Sequence, residues 1–297
     1  MIYIIITAYG EPKLTEKAIT SFLSQNIKEK YKIIVMDPFE KTEEFLKQKF
    51  QKDFNKTIQF FLDPGEGKSY ALNILLEKIY SKNTEDIIIL TDGDVFVSEN
   101  SVNELLKAFE NEKIGCVTGR PLSINSKNNM FGYWSHFLFA GIDKVRDKLS
   151  KREKFLECSG YLFAIRNSVL KGFPIETSED SIIPFLFWKR DYQIKYVPKA
   201  EVYVFSPQTW KSWKNQKIRN IKAHENLNKI AKDLPRTKSF LNEIKEGVLF
   251  SLKYPRNLKE LYYTFILYFA RLYVYLQAFY EIRFTRKTYS DGWRAIK

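Results

Sequence analysis

The 297-residue sequence has only two cysteines, Cys116 and Cys158, both in apolar stretches. A disulfide framework and a cysteine-rich zinc site are thereby excluded, and a reducing compartment is the natural setting. Histidine is as scarce. His136 and His224 have no partner residues at metal-ligand or triad spacing, so both are read as structural. Twelve glycines, ten prolines and the absence of any repeat exclude low-complexity and repeat architectures. The chain opens on "MIYIIITAYG", too short and too β-branched for a signal peptide, and expected to be the first strand.

What is present is aromatic, apolar and basic. Hydrophobic residues make up 44% of the chain, with 24 Phe, 18 Tyr and 5 Trp, enough for a substantial core in one large α/β domain with an appendage or in two modest domains. Lys and Arg outnumber Asp and Glu by 48 to 35, leaving +13. Such a balance favours an anionic partner: a nucleotide diphosphate, an acidic membrane surface or nucleic acid. Composition does not choose among the three.

Periodicity narrows the fold. Apolar β-rich runs alternate with helical patterns: "IYIIIT", a helix from about Lys13 to Gln25, "KIIVM", a helix from Glu43, "TIQFFL", a helix from Lys68, then "DIIILT". This alternation predicts an α/β fold with a mainly parallel sheet and crossover helices, in which every strand's carboxyl end faces one rim and ligands bind in the crevice there. Each run ends on polar residues: "TAYGEP", Asp37, "DPGEGKSYALN" and "TDGDV". Four polar strand ends on one rim make a candidate site.

Taken in order, "IIITAYGEP", "IIVMD", "GEGKSYALN", "TDGDV", "CSGYLFAIR" and "SEDSIIPFLFWKRDYQIKYVP" resemble the motifs of family-2 glycosyltransferases, whose fold is the Rossmann-like GT-A. The resemblance covers roughly residues 2 to 220 and rests on the ordered set. In "TDGDV", Asp92 and Asp94 sit where a strand ends, so two hard oxygen ligands can meet a divalent cation, while the alternative is capping of the helix at "SVNELLKAF", for which Ser98 or Asn100 already serves. The resemblance implies the first: an Asp-x-Asp signature holding Mn2+ or Mg2+ against the leaving diphosphate, Asp92 also touching the nucleotide sugar. It further implies that Thr7, Ala8, Tyr9 and Glu11 flank the base and ribose and that Asp37 accepts from the base. From the residues alone, Tyr9 packs or stacks and Glu11 is an ordinary helix-start acid. Gly67 and Lys68 stand at a strand-to-helix turn that suits phosphate contact without Walker A spacing, and the resemblance puts Lys68 near the donor diphosphate.

Glu179 and Asp180 open an apolar helix, where acids are stabilising in any case. The resemblance makes them the Glu-Asp motif, with Asp180 as the general base of an inverting transfer and Glu179 in support. Gly160 in "CSGYLFAIR" then allows a sugar to approach the acceptor pocket. "SPQTWKSWKNQKIRN" keeps Gln216 and Arg219 of the Gln-x-x-Arg-Trp segment found in membrane-associated members, Arg219 facing the diphosphate, but Asn220 replaces the tryptophan that processive synthases use. Trp210 and Trp213 either pack this helix or face lipid headgroups.

The last long pattern, "LKELYYTFILYFARLYVYLQAFYEIRF", is long enough to span a bilayer but is interrupted by Arg271, Gln277 and Glu281. At 100° per residue, Lys259, Glu260, Thr264, Arg271, Gln277 and Glu281 fall on one side, and Phe265, Phe269, Leu272, Tyr273, Leu276, Phe279 and Tyr280 on the other. The helix is amphipathic: it packs on the catalytic domain, lies in a membrane plane, or, third, spans. The expected layout is a catalytic domain over 1–230, its donor half about 1–120 and its acceptor half about 121–230, followed by an amphipathic helical region over 231–297. The expected activity is metal-dependent, inverting transfer from a nucleotide-diphosphate sugar to a lipid-linked (polyprenyl) or surface glycan acceptor, at the cytoplasmic face of the cell membrane and without nucleic acid. Two rivals are a sugar-phosphate nucleotidylyltransferase, whose Gly-rich Arg-containing activation loop is missing, and a basic nucleic-acid-binding protein, whose recognition modules are missing.

Overall fold

The structure, a computed structural model, describes residues 1–175, 177–232, 247–248, 250–287 and 289. The first half alternates strand and helix: β1 (Ile2–Thr7), α1 (Pro12–Leu23), β2 (Tyr31–Asp37), α2 (Glu40–Lys49), β3 (Ile58–Leu62), α3 (Lys68–Ile79) and β4 (Ile87–Asp92). Then come β5 (Val95–Val97), α4 (Ser101–Ala108), β6 (Ile114–Ser123), α5 (Met130–Lys151), β7 (Leu162–Arg166), α6 (Glu179–Trp188), β8 (Gln193–Val204), α7 (Trp210–Ile230) and α8 (Leu258–Arg283). Helix α2 starts at Glu40, ahead of the expected Glu43. An extended Phe39 occupies its N-cap without a side-chain bond, and Glu40 and Glu43 in the first turn complement the helix dipole instead.

One eight-stranded sheet runs in the order β3-β2-β1-β4-β7-β6-β8-β5. Strands β1 to β4 are parallel to one another, as the alternation predicts. Beyond β4 the sheet is mixed, because β7 lies antiparallel to both β4 and β6, and β5 antiparallel to β8. Both faces are covered, so the strands read as unbroken apolar runs rather than as alternations. On one face Ile4, Ile6, Ile33, Val35 and Ile89 pack with Ala18, Ile19 and Phe22 of α1. On the other, Ile5, Ile34, Met36, Ile88 and Leu90 pack with Ala71, Leu72, Leu75 and Leu76 of α3.

Buried Arg166, at the end of β7, ties the sheet to its surroundings by donating to the carbonyls of Ile114, Thr84, Phe109 and Asn111. Both cysteines are buried and free. The Cys116 thiol is held far from ionisation, by burial first and by Cys158 next.

A third cluster joins α5, α7 and α8. Tyr133, Trp134 and Phe137 of α5 meet Trp213 and Ile218 of α7 and Leu267, Ala270, Val274 and Ala278 of α8. Helix α8 therefore packs on the domain, but with its small-residue side inward. The Trp134 indole donates to the Tyr263 carbonyl at 2.7 Å, Tyr133 and Thr264 share a hydroxyl hydrogen bond of 2.6 Å, and Lys222 pairs with Glu281 at 2.7 Å. The aromatic side stays in solvent: Tyr262, Phe265, Phe269, Leu276, Phe279 and Tyr280 are all more than half exposed. Trp213 packs against Trp134 at 4.9 Å between ring centroids, while Trp210 stacks on it from outside. No helix among the described residues is long and apolar enough to cross a membrane.

Candidate active site

The parallel register of β1 and β4 sets Thr7 beside Asp92 at the rim. The Thr7 hydroxyl lies 3.0 Å from Asp92 Oδ1 and equally close to the Thr91 carbonyl. Between the two aspartates, Gly93 donates its N–H to the Thr7 carbonyl at 2.7 Å, and a Cβ there would meet Ala8 Cβ at 2.9 Å. Glycine is what lets this turn press against β1. Asp92 closes β4, β5 follows directly, and α4 begins only behind Asn100, so neither aspartate caps a helix. Asn100 itself has a left-handed backbone and makes no side-chain cap bond.

The centre of the site is an ion triad. Lys68 Nζ, at the start of α3, lies 2.7 Å from Asp92 Oδ1 and 2.6 Å from Glu179 Oε1 at the start of α6. Gly67, the N-cap of α3, has φ 112°, a conformation that side-chain-bearing residues rarely adopt, and it turns the chain so that the lysine points inward. Burial alone would favour the neutral amine, but the two carboxylates outweigh it and hold the ammonium charged. Glu179 answers in kind: burial works against its ionisation, and Lys68 nevertheless keeps it ionised below the usual carboxylate range. For Asp94 the compensation from its own N–H and from Lys68 is the weaker side. Burial, then Asp92 and Glu11, push its carboxyl up to about 6. Tyr161 is held neutral chiefly by burial and then by Asp92 and Asp94.

These groups line a cleft of about 710 Å³. It brings together Thr7, Ala8, Tyr9, Glu11, Lys68, Asp92, Asp94, Gly160, Glu179, Asp180, Gln216 and Arg219. Gly160 lies against Asp180, whose Oδ2 would stand 3.5 Å from an added Cβ. Gly67 lies outside the lining, as does Asp37. Fully buried, Asp37 accepts the N–H groups of Gly10 and Phe39, both at 2.8 Å, and burial raises its pKa against the pull of those bonds. It fixes the loop that carries Tyr9 and Glu11, and Tyr9 meets Phe39 edge-on at 5.2 Å.

The lining also includes Arg146 of α5, His224 of α7, and Arg271 and Tyr275 of α8, which the motif pattern did not single out. Arg146 donates to the carbonyls of Glu157 and Cys158 under the cleft floor. His224, expected to be merely structural, faces the cleft with Nε2 3.4 Å from Glu157, whose carboxylate also accepts from Ser181 beside Asp180. His136 instead bonds the Asn125 carbonyl, and burial lowers its pKa. Spacing held no signal for His224, because its partner lies 67 positions away in sequence (224 − 157) and meets it only through the fold.

Among the described residues no three His, Cys, Asp or Glu side chains gather around one metal position. The donor set nevertheless fits a hard divalent cation completed by phosphate oxygens and water. Burial, then neighbouring Asp92 and Glu11, make the ionised Asp94 carboxylate costly without a further cation, and carboxylates are the ligands that Mg2+ and Mn2+ prefer.

A model of the glycosyltransferase-like family 2 matches residues 1–223. The poly-beta-1,6-N-acetyl-D-glucosamine synthase of Staphylococcus epidermidis is 26% identical over 222 residues, 72% of this chain and 52% of that protein. The probable glycosyltransferase YdaM of Bacillus subtilis is 26% identical over 216 residues, 69% of this chain and 46% of that one. The chain thus spans about half the length of these relatives. Among solved structures, the mannosyltransferase PcManGT of Pyrobaculum calidifontis, in complex with GDP-Man and Mn2+, matches with a TM-score of 0.62 at 16% identity, over 96% of this chain and 81% of that one. S. aureus TarS 1-349 in complex with UDP-GlcNAc matches at 0.52 with 15% identity, over 93% and 81%. Both likenesses are of fold, the GT-A arrangement of a mixed sheet between helices.

Proposed function

Because the chain belongs to the glycosyltransferase-like family 2, we propose that it moves a sugar from a nucleoside-diphosphate donor to an acceptor hydroxyl with inversion at the anomeric carbon. The observation that carries this reading is that one cleft holds Asp92, Asp94 and Lys68 on the donor side together with Glu179 and Asp180. Asp180 accepts the proton of the acceptor hydroxyl as that oxygen attacks the anomeric carbon and the bond to the diphosphate oxygen breaks. Lys68 and Arg219 meet the negative charge that the leaving diphosphate gathers. Asp92 and Asp94 would hold Mn2+ or Mg2+, which supplies Lewis-acid neutralisation of the same diphosphate. Glu179, paired with Lys68, keeps the start of α6 in place beside the donor wall. Residues 1–120 form the donor half and 121–230 the acceptor half of this catalytic unit.

The acceptor in this reading is a glycan or a polyprenyl-linked saccharide, reached at the inner face of the cell membrane. Support comes from α8, whose outward side is aromatic while its inward side is docked on α5 and α7. A calorimetric screen of UDP, GDP and their sugars with and without Mn2+ tests the donor side. Metal-dependent binding of one nucleotide sugar is expected, and absence of binding by any of them overturns the reading.

A further inference from the structure

A second cavity, of about 280 Å³, opens between α5, residues 250–256 and the first turn of α8. Four cations ring it, Lys127, Lys144, Lys253 and Arg256, against one carboxylate, Glu260. Glu260 is already engaged, since its Oε2 accepts the Arg256 backbone N–H at 2.8 Å within the turn that starts α8. Among the described residues none of the four cations forms a salt bridge, and all four are exposed. The walls are aromatic. Phe250 and Tyr254 stand 5.1 Å apart, Lys144 lies over Phe250 at 4.6 Å, and Lys127 over Tyr254 at 6.0 Å. Ring faces thus hold two of the ammonium groups at the mouth.

Apolar residues that flank the lining residues in sequence are as exposed as its charges. Leu252 is 69% exposed and Leu258 83%, and from Leu261 and Tyr262 the apolar surface continues along the outward side of α8. A dissolved phosphate would satisfy the cations but leave that whole stripe in water. A surface that is anionic at the headgroups and apolar just beneath satisfies both at once.

We propose that this cavity is a headgroup site: the phosphate of an anionic phospholipid sits among Lys127, Lys144, Lys253 and Arg256, while Leu252, Leu258 and the outward side of α8 enter the outer acyl region. The site rests on the membrane-contact reading given above. It adds to that reading a localised anion pocket at one end of the helix, where diffuse basicity alone would give no localised dependence.

The test is co-sedimentation of the full-length protein with vesicles of phosphatidylcholine alone and of equimolar phosphatidylcholine and phosphatidylglycerol. Replacing Lys144, Lys253 and Arg256 by Gln should weaken binding to the mixed vesicles about tenfold or more and leave binding to phosphatidylcholine unchanged. Replacing Lys30, Lys52 and Lys56, exposed near the β2–β3 edge, by Gln removes the same net charge and should change neither. Matched thermal melts confirm that each variant is folded. Equal binding of both triple variants to the mixed vesicles overturns the headgroup site, whether both match wild type or both weaken. Binding of free glycerol phosphate by the wild type, lost in the first triple variant, overturns the lipid as occupant. Absence of wild-type binding to either vesicle is a different failure, that of the membrane reading itself, and the site falls with it.

Discussion

Lys68 Nζ lies 2.6 Å from Glu179 Oε1, a contact that ties the first turn of α3 to the first turn of α6 across 111 residues of sequence (179 − 68). The same ammonium holds Asp92 at the end of β4. One buried cation thus joins three sequence-distant pieces of the cleft, so its removal takes the nearest counter-charge from buried Glu179 and half-buried Asp92.

Lys68→Met should therefore destabilise the protein by about 3–5 kcal/mol. Adding Glu179→Gln should recover a good part of that loss, because one stranded charge goes with it. Urea unfolding of the single and double variants measures both. A single variant as stable as wild type would mean that the triad contributes nothing to the fold.

Asp94→Asn separates stability from function. The folded-state pKa of Asp94 is raised from 3.8 to about 6, so the folded chain holds this proton more tightly than the unfolded one. The favourable contribution is complete below about pH 4 and is lost as pH rises through about 6. Above that, ionised Asp94 works against folding. Asp94→Asn should accordingly raise Tm by ~2–4 °C at pH 8 and leave it nearly unchanged at pH 4, while weakening metal-dependent nucleotide-sugar binding. Calorimetric melts at the two pH values check the first part, and titration with donor the second.

Asp180→Asn tests the chemistry without the donor. A general base acts on the acceptor, so donor affinity should stay near wild type while transfer falls by roughly 10²–10⁴. Single-turnover transfer with radiolabelled donor reads it directly. An active Asp180→Asn enzyme would shift the base to Glu179 or remove it.

The two sides of α8 should respond in opposite ways. Leu267 is buried between α5 and α7, so Leu267→Ala should cost about 2–5 kcal/mol. Phe269, two residues on, is 56% exposed, and Phe269→Ser should stay within about 0.5 kcal/mol. Chemical denaturation of both variants decides. Equal costs would mean that the helix is buried on both sides.

Legibility followed from burial pattern. Strands β1 to β4 could be read because helices cover both faces, and two-sided burial writes unbroken apolar runs such as "IYIIIT" and "DIIILT". Strands β5 to β8 gave less warning, since β5 has three residues and β7 owes its direction to contacts with β4 and β6. Motif order pointed to residues that mostly share the cleft wall, with Asp37 and Gly67 outside it. Asp37 turns inward because the Gly10 and Phe39 N–H groups wait there, a local geometry that the letters do not encode. The two sides of α8 were legible as well, yet polarity did not say which would dock. Crowding by Trp134 and Trp213 admits only small or slender residues, so Ala270, Val274 and Ala278 turn inward and the aromatics turn out.

Helix α8 serves two surfaces at once. Arg271 and Tyr275 reach the cleft, whereas Leu272, Tyr273 and Leu276 point the other way. An α-helix with its side chains is about 10–12 Å across. Anything seated on the outer stripe is thereby held at a fixed standoff from the cleft wall, one helix thick and without a hinge between. Under the proposed function, that spacing would act as a ruler for a tethered acceptor: a hydroxyl carried too close to its anchor would fall short of Asp180, a selection by reach made before any contact with the sugar itself.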